Sequence, residues 1–209
     1  MSTLKMSISH DLRDSPIPSD ENSCSSQCSS QFSEDPSPGL PEGSVNEQKK
    51  LTPEEKMFRF CKKGTPHHVK FMLDKFPHLI SVKDSDGYSP LHKASYSDNH
   101  EVVKTLLENG ADIDSRTMDE WTPLHCACKW GNLRSASILI AAGANINARS
   151  AGGVTPLHLA AATKNKKLIE LLLFNPDIDV KAVNNAGDTP YDIARRSSPY
   201  YVLFEQAQY

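Results

Sequence analysis

Short apolar segments of helical length alternate with turn residues through the C-terminal three quarters of the chain. One pair predicts helices over 123–129 and 133–142, with Gly131 permitting the turn between them. Two further helices, each equivalent to the second helix of this pair, are predicted over 100–108 and 166–174. Helices this short cannot bury their apolar faces alone, so the pattern predicts that successive helix pairs pack on one another.

A tetrapeptide that begins with Thr-Pro or Ser-Pro precedes the first helix of each pair. It reads SPLH at 89–92, TPLH at 122–125, TPLH at 155–158 and TPYD at 189–192, so the intervals are 33, 33 and 34 residues. The hydroxyl group suits a helix N-cap, and proline suits the first turn, where its missing amide is not needed. This motif at a period of 33 resembles the ankyrin repeat family. The resemblance implies an all-α ankyrin-repeat solenoid, with a helix-turn-helix and a hairpin loop in each unit.

About five such units fit into residues 51–209, whereas residues 1–50 differ sharply in composition. The expected unit boundaries are 52–85, 86–118, 119–151, 152–185 and 186–209. Residues 1–50 contain 13 Ser and 5 Pro but one aromatic residue, with 8 acidic and 4 basic side chains. Such a segment buries too little apolar surface to offset the entropy of ordering it, so we predict a disordered, acidic N-terminal tail.

The first and last units are expected to be atypical, because one side of each faces water. In the first unit the tetrapeptide is not evident, and aligning Gly64 with Gly131 makes 55–58 its counterpart. The second helix of this unit is predicted over 67–75. Its inward-facing residues should be Val69, Phe71, Met72 and Leu73. The last unit is predicted to close with a helix over 199–206.

Charge, hydropathy and cysteine content narrow the class of protein. Residues 51–209 carry 19 Lys+Arg and 18 Asp+Glu, so they generate no strong field that would attract a nucleic-acid backbone. We find no apolar run of membrane-spanning length and no basic, apolar leader, and the five cysteines suit a reducing compartment. We therefore expect a nuclear and/or cytoplasmic protein that is neither secreted nor membrane-bound.

Several residues of catalytic type occur, but their pattern favours structural roles. His92, His125 and His158 recur at one repeat position, where the family resemblance implies hydrogen bonds between neighbouring units. Cys126 and Cys128 should point to different faces of a short helix, which disfavours a shared metal ion. The sequence contains no phosphate-binding loop and no recognisable catalytic triad. We expect a non-enzymatic protein without cofactor, metal or small-molecule substrate.

The repeat register places large side chains of the second and third units on the surface that ankyrin stacks use for binding. The predicted partner-binding residues are Tyr88, Tyr96, Met118, Asp119, Trp121, Lys129 and Trp130. Trp and Tyr dominate the binding energy of many protein interfaces, so we predict that another protein binds here. The alternative interpretation is that Trp121 and Trp130 only fill gaps between adjacent repeats.

The resemblance implies an intracellular adaptor connected with transcription or differentiation. The segments WTPLHCACKW (121–130) and DIARR (192–196) narrow the resemblance to one subgroup of the family. Asn147, with Leu139 eight residues before it, resembles ankyrin asparagines that an oxygenase hydroxylates, and it is a candidate modification site. The alternatives to an adaptor are a direct nucleic-acid-binding regulator and a substrate of an asparaginyl hydroxylase.

Overall fold

A computed structural model describes residues 51–206 of the chain. The predicted tail at 1–50 and the final residues 207–209 lie outside the described residues. The predicted all-α architecture of stacked helix pairs is confirmed, and residues 51–206 contain no β-strand.

The described residues form five helix pairs arranged in two layers. The first helices are α1 (Pro53–Lys63), α3 (Pro90–Tyr96), α5 (Pro123–Trp130), α7 (Pro156–Ala161) and α9 (Pro190–Ser197). The second helices are α2 (Pro66–Lys75), α4 (His100–Glu108), α6 (Leu133–Ala141), α8 (Lys166–Leu173) and α10 (Val202–Gln206). First helices contact first helices and second helices contact second helices from unit to unit, and a continuous apolar core lies between the layers. Within residues 51–206, no helix has the length and apolar character needed to cross a membrane.

Each first helix begins with a reciprocal pair of hydrogen bonds made by the tetrapeptide. At α5, the Thr122 hydroxyl accepts from the His125 amide at 3.4 Å, and His125 Nδ1 accepts from the Thr122 amide at 3.1 Å. This capping box satisfies two amides that a helix start would leave unpaired. It recurs at Ser89, Thr155 and Thr189, so the motif fixes where the first helices start.

The first unit also contains this cap, which corrects the alignment predicted from the sequence. The Thr52 hydroxyl accepts from the Glu55 amide at 3.2 Å, and the Glu55 carboxylate accepts from the Thr52 amide at 2.8 Å. The counterpart of the tetrapeptide is therefore 52–55 and not 55–58. Helix α1 has 11 residues against 8 in α5, so the extra turn lies at its N-terminus while Gly64 ends it as expected.

The inner face of α2 differs from the prediction at one residue. Val69, Met72 and Leu73 are buried, but Phe71 is 63% exposed. The reason is helical geometry, because residues separated by three and four positions share a face and residue 71 points away from it. The predicted closing helix also differs, since it is divided into a 3-10 helix at Pro199–Tyr201 and α10.

Two ladders of polar side chains join neighbouring units through backbone atoms. In the first ladder, asparagines that precede second helices donate to carbonyl groups at the end of the first helix of the preceding unit, where helical partners run out. These bonds run from Asn99 to Cys61 and Lys62, from Asn132 to Ser95 and Tyr96, and from Asn165 to Gly131. In the second ladder, the side chains of Lys83 and Arg116 each donate at 2.8 Å to the carbonyl of the equivalent residue in the next unit. The register between units is therefore held by bonds to backbone carbonyl groups, which do not depend on the side chains of the residues that supply those carbonyls.

Candidate partner-binding surface

The hairpin loops that precede α3, α5, α7 and α9 align side by side. Each loop is closed by one backbone hydrogen bond across its ends. Neighbouring tips are also joined, because the Met118 amide donates to the Asp86 carbonyl at 3.1 Å and the Ala151 amide to the Asp119 carbonyl at 3.0 Å. The tips therefore form a continuous row in a fixed register.

The second hairpin, which precedes α5, carries the largest exposed side chain of this row. Met118 is 77% exposed and Asp119 is exposed beside it, whereas the equivalent residues of the third hairpin are Ala151 and Gly152. Asp86 and Asp119 form no ion pair with any residue of 51–206. This part of the row is both apolar and anionic.

Tyr88 connects the hairpin row to the exposed side of α3. Its ring lies 4.4 Å from Lys93 Nζ, which also forms an ion pair with Asp84. Burial alone would raise the pKa of Asp84, but the hydrogen bond from Lys93 and two backbone amides hold that pKa below its usual value. Burial and nearby carboxylates raise the pKa of Tyr88 to about 12, so its hydroxyl stays protonated. The half-buried Tyr88 ring is therefore held in place by its contacts with Lys93 and His92.

Tyr96 and Trp130 form an aromatic pair that spans the second and third units. Their ring centroids lie 4.8 Å apart and the rings meet at 67°, a favoured edge-to-face geometry. Trp130 is 53% exposed even in this pair. The neighbouring Lys129 is half-buried. The equivalent residues of unit four are Ala162 and Thr163, so the pair has no counterpart there.

Trp121 has a different environment from Trp130, although the repeat register predicts both on the binding surface. Its ring is partly buried against the hydrophobic core and lies 6.1 Å from the His125 ring. Its carbonyl accepts from His92 Nε2 at 3.0 Å. The structure therefore does not bring Trp121 and Trp130 together, and the packing interpretation suits Trp121.

The three repeat histidines link each first helix to the hairpin of the next unit. Nδ1 of each ring accepts from the backbone amide of its own cap residue, so Nε2 carries the proton. Nε2 then donates to a carbonyl in the next hairpin, at 3.0 Å for His125 and Val154 and at 3.1 Å for His158 and Asp188. Burial lowers the pKa of His92 and His125 to about 4, and it lowers the pKa of His158 as well.

Asn147 lies half-buried in the loop that follows α6, and both ends of its amide are used. Its Nδ2 donates to the Asp177 carbonyl at 2.6 Å, and its Oδ1 accepts from the Asp179 amide at 2.9 Å. The side chain therefore connects two consecutive units.

The cysteines have no reactive environment in the described part of the chain. Cys61, Cys126 and Cys128 are buried, and burial raises the pKa of Cys61 and Cys126 to about 12 and raises that of Cys128 further. Such thiols stay protonated at neutral pH. Within residues 51–206, no three His, Cys, Asp or Glu residues are grouped closely enough to hold a metal ion.

Two features of this surface are not predicted from the sequence, namely the contact that Lys93 makes and the backbone conformation of Glu120. Lys93 was not singled out, although it contacts the Tyr88 ring. Glu120 has φ = 59°, the left-handed conformation that the other three hairpins fill with Gly87, Gly153 and Gly187. Comparison of residues at the repeat interval would have revealed Glu120, because a glycine is replaced there by a side chain that strains the backbone.

Comparisons with known proteins agree with this architecture. The family model described as ankyrin repeats (many copies) matches residues 91–140 and 124–173. The chain is 55% identical over 138 residues to Ankyrin repeat domain-containing protein 49 of Homo sapiens, covering 66% of this chain and 58% of that protein. The protein of the same name from Bos taurus is 54% identical over 138 residues, with the same coverage, and that from Mus musculus is 53% identical over 141 residues, covering 67% of this chain and 59% of the mouse protein.

The resemblance predicted from the tetrapeptide and its period is thereby confirmed, including the subgroup within the family. The matching part of the chain spans little more than half the length of these relatives.

Proposed function

We propose that this chain, which belongs to the ankyrin repeat family, is an adaptor that binds a partner protein through its second and third units. Ankyrin repeats are protein-interaction modules, and their stacking leaves a continuous surface for a macromolecule. The contact residues in this proposal are Tyr88, Tyr96, Met118, Asp119, Lys129 and Trp130. We assign Trp121 the supporting role of holding the second hairpin against the core.

The observation that carries this proposal is the unequal distribution of large exposed side chains between units. Met118 and Trp130 are 77% and 53% exposed, whereas the equivalent residues one repeat later are Ala151 and Thr163. The core does not depend on these two side chains, since neither belongs to it or packs against it. Exposed aromatic and methionine side chains with charged residues nearby are typical of interface centres.

The test is quantitative affinity capture with the full chain and three single variants. Trp130→Ala and Met118→Ala should each reduce capture of the partner strongly while leaving the unfolding midpoint nearly unchanged, because both side chains are largely exposed. Phe174→Ala is the matched control, since Phe174 is 83% exposed in unit four, outside the proposed surface. An equal loss of partner capture with all three variants, or no loss with any of them, would contradict the proposal.

Trp121→Ala separates binding from packing at the second tryptophan. Because its ring is partly buried against the core, this substitution should lower the unfolding midpoint, unlike Trp130→Ala. The fraction that remains folded should still capture the partner.

The likeness to Ankyrin repeat domain-containing protein 49 extends the proposal to a nuclear and/or cytoplasmic regulator of transcription or differentiation. This extension rests on the family resemblance and not on any geometry of the surface. Fractionation of cells that express the full chain, together with a reporter assay of wild type and Trp130→Ala, tests it. Recovery of the chain only from a compartment other than nucleus or cytoplasm would argue against this role. A reporter signal that is the same for wild type and Trp130→Ala would also argue against it.

Hydroxylation of Asn147 remains a separate proposal that concerns regulation. Its amide holds the backbone of the next unit, so a change at this side chain bears directly on the contact between units three and four. The modifying enzyme would act on a locally opened loop.

A further inference from the structure

An open groove lies on the layer of second helices, away from the aromatic pair on the first helices. It runs between α4, α6 and α8 and has a volume of about 420 Å³. Its floor is apolar and is formed by half-buried side chains of Leu133, Ile138 and Leu171. The side chains of Lys104 and Arg134 line its edge.

The charges around this groove do not balance. Glu101 is paired with Lys104 at 3.1 Å, and Glu170 is paired with Lys166 at 3.3 Å. Arg134 is exposed and forms no ion pair within the described residues. Asp98 accepts two hydrogen bonds from Ser135, the residue after Arg134, but forms no ion pair with Arg134. Arg134 is therefore a cation without an acidic partner in this part of the chain.

Helix α8 carries a second such cation, Lys167. Lys167 is exposed and has no acidic partner among residues 51–206. It lies one helical turn before Leu171, just as Arg134 lies one turn before Ile138, so each cation is adjacent to an apolar residue of the floor. The groove therefore combines an apolar floor with an unmatched positive edge.

We propose that this groove binds an acidic peptide segment that carries a large apolar side chain. The apolar side chain would pack on Ile138 and Leu171, and carboxylates beside it would contact Arg134 and Lys167. Charge complementarity determines the choice of an acidic partner, because the described residues that line the groove include the cations Lys104 and Arg134 and no acidic residue. This inference is independent of the proposed function, since the groove belongs to the other helix layer.

The test uses the full chain and a fluorescein-labelled short peptide of alternating Glu and Leu with blocked ends. Fluorescence anisotropy at low salt should show saturable binding. The double variant R134E/K167E should weaken this binding about tenfold or more. The matched control, R59E/K63E, makes the same charge change on exposed residues of α1 and should bind like wild type.

Two further probes decide between occupants. A peptide of alternating Glu and Ser should bind much more weakly than the Glu and Leu peptide, because it lacks the side chain for the floor. Equal binding of both peptides, equal loss with both double variants, or the absence of binding would overturn the proposal. A single-stranded oligonucleotide of the same net charge that binds more tightly than the peptide would overturn it in favour of nucleic acid. Concentration-dependent self-association that R134E/K167E abolishes would overturn it in favour of a second copy of the chain.

Discussion

Acidification should destabilise the stack through the two most buried repeat histidines. Burial lowers the pKa of His92 and His125 from 6.5 to about 4, against the opposing effect of the hydrogen bonds to Trp121 and Val154. A group with a lower pKa in the folded state takes up a proton on unfolding, so the free energy of unfolding rises with pH between the two values. The contribution of each histidine to the free energy of unfolding is fully present above about pH 6.5 and is lost as the pH falls towards 4.

The size of the effect follows from the same pKa values. A shift from 6.5 to about 4 corresponds to about 3 kcal/mol per imidazole, of which about 2 kcal/mol is lost between about pH 7 and pH 5. Two such residues give about 4 kcal/mol, a large part of a typical domain stability of roughly 5–15 kcal/mol. Asp84 and Asp192 also have lowered pKa values, but their ordinary value is 3.8. Their contributions to the free energy of unfolding are therefore lost mainly below about pH 5.

Urea unfolding followed by circular dichroism at about pH 7 and about pH 5 measures this difference. His125→Gln should be less stable than wild type at neutral pH, because the bond to Val154 is weakened or lost. Its loss of stability on acidification should be clearly smaller than that of wild type, since one of the three histidines with a lowered pKa is removed. NMR titration of the ring Cε1–H signals provides the folded-state pKa values without unfolding. Equal wild-type stability at both pH values, or a variant with the full wild-type difference, would refute the reasoning.

Three further predictions concern single residues. Gly87→Ala should lower the free energy of unfolding in urea clearly more than Gly187→Ala does. Both glycines have φ near 80°, a conformation that costs alanine about 1 kcal/mol. At residue 87 an added Cβ would also lie 2.9 Å from the Met118 amide nitrogen, whereas at residue 187 it would meet nothing. Ser95→Ala should leave the thermal midpoint unchanged or raise it, since the buried Ser95 Oγ has no hydrogen-bond partner within residues 51–206. Asn147→Ala should cost about 1 kcal/mol in urea unfolding by removing two hydrogen bonds to the exposed backbone of the next unit. Mass spectrometry of the chain from oxygenated cells should find one added oxygen at Asn147, and only unmodified Asn147 would contradict its hydroxylation.

The repeating motif made most of the fold predictable, because it specifies helix starts through local chemistry. Thr122, Pro123 and His125 form the cap and the link to the next unit whatever side chains surround them. The first unit was misaligned for a related physical reason. Glu55 replaces histidine in the cap there and makes the same reciprocal bond, so the geometry is the same although the tetrapeptide sequence is different.

The site was less predictable than the fold, because register alone does not determine how far a ring is covered. Trp121 and Trp130 both fall on the binding side of the repeat, yet Trp121 packs against the core and Trp130 extends from the helix end. Their difference depends on neighbours in adjacent units, such as Tyr96, whose ring meets that of Trp130. Contacts of this kind are not local in sequence, so periodicity could not resolve them.

The way in which neighbouring units are joined explains how such a surface can differ from one unit to the next. Asn132 and His125 connect units by bonding to backbone carbonyls, which every residue supplies. A side chain on the outer surface can therefore change without breaking these links. Met118 in one hairpin and Ala151 in the next are thus compatible with the same hairpin register, since the backbone amide of each donates to the preceding tip. Stability and binding are consequently separable in this stack, and exchanging Met118 for the alanine of the next hairpin should change capture of the partner far more than the free energy of unfolding.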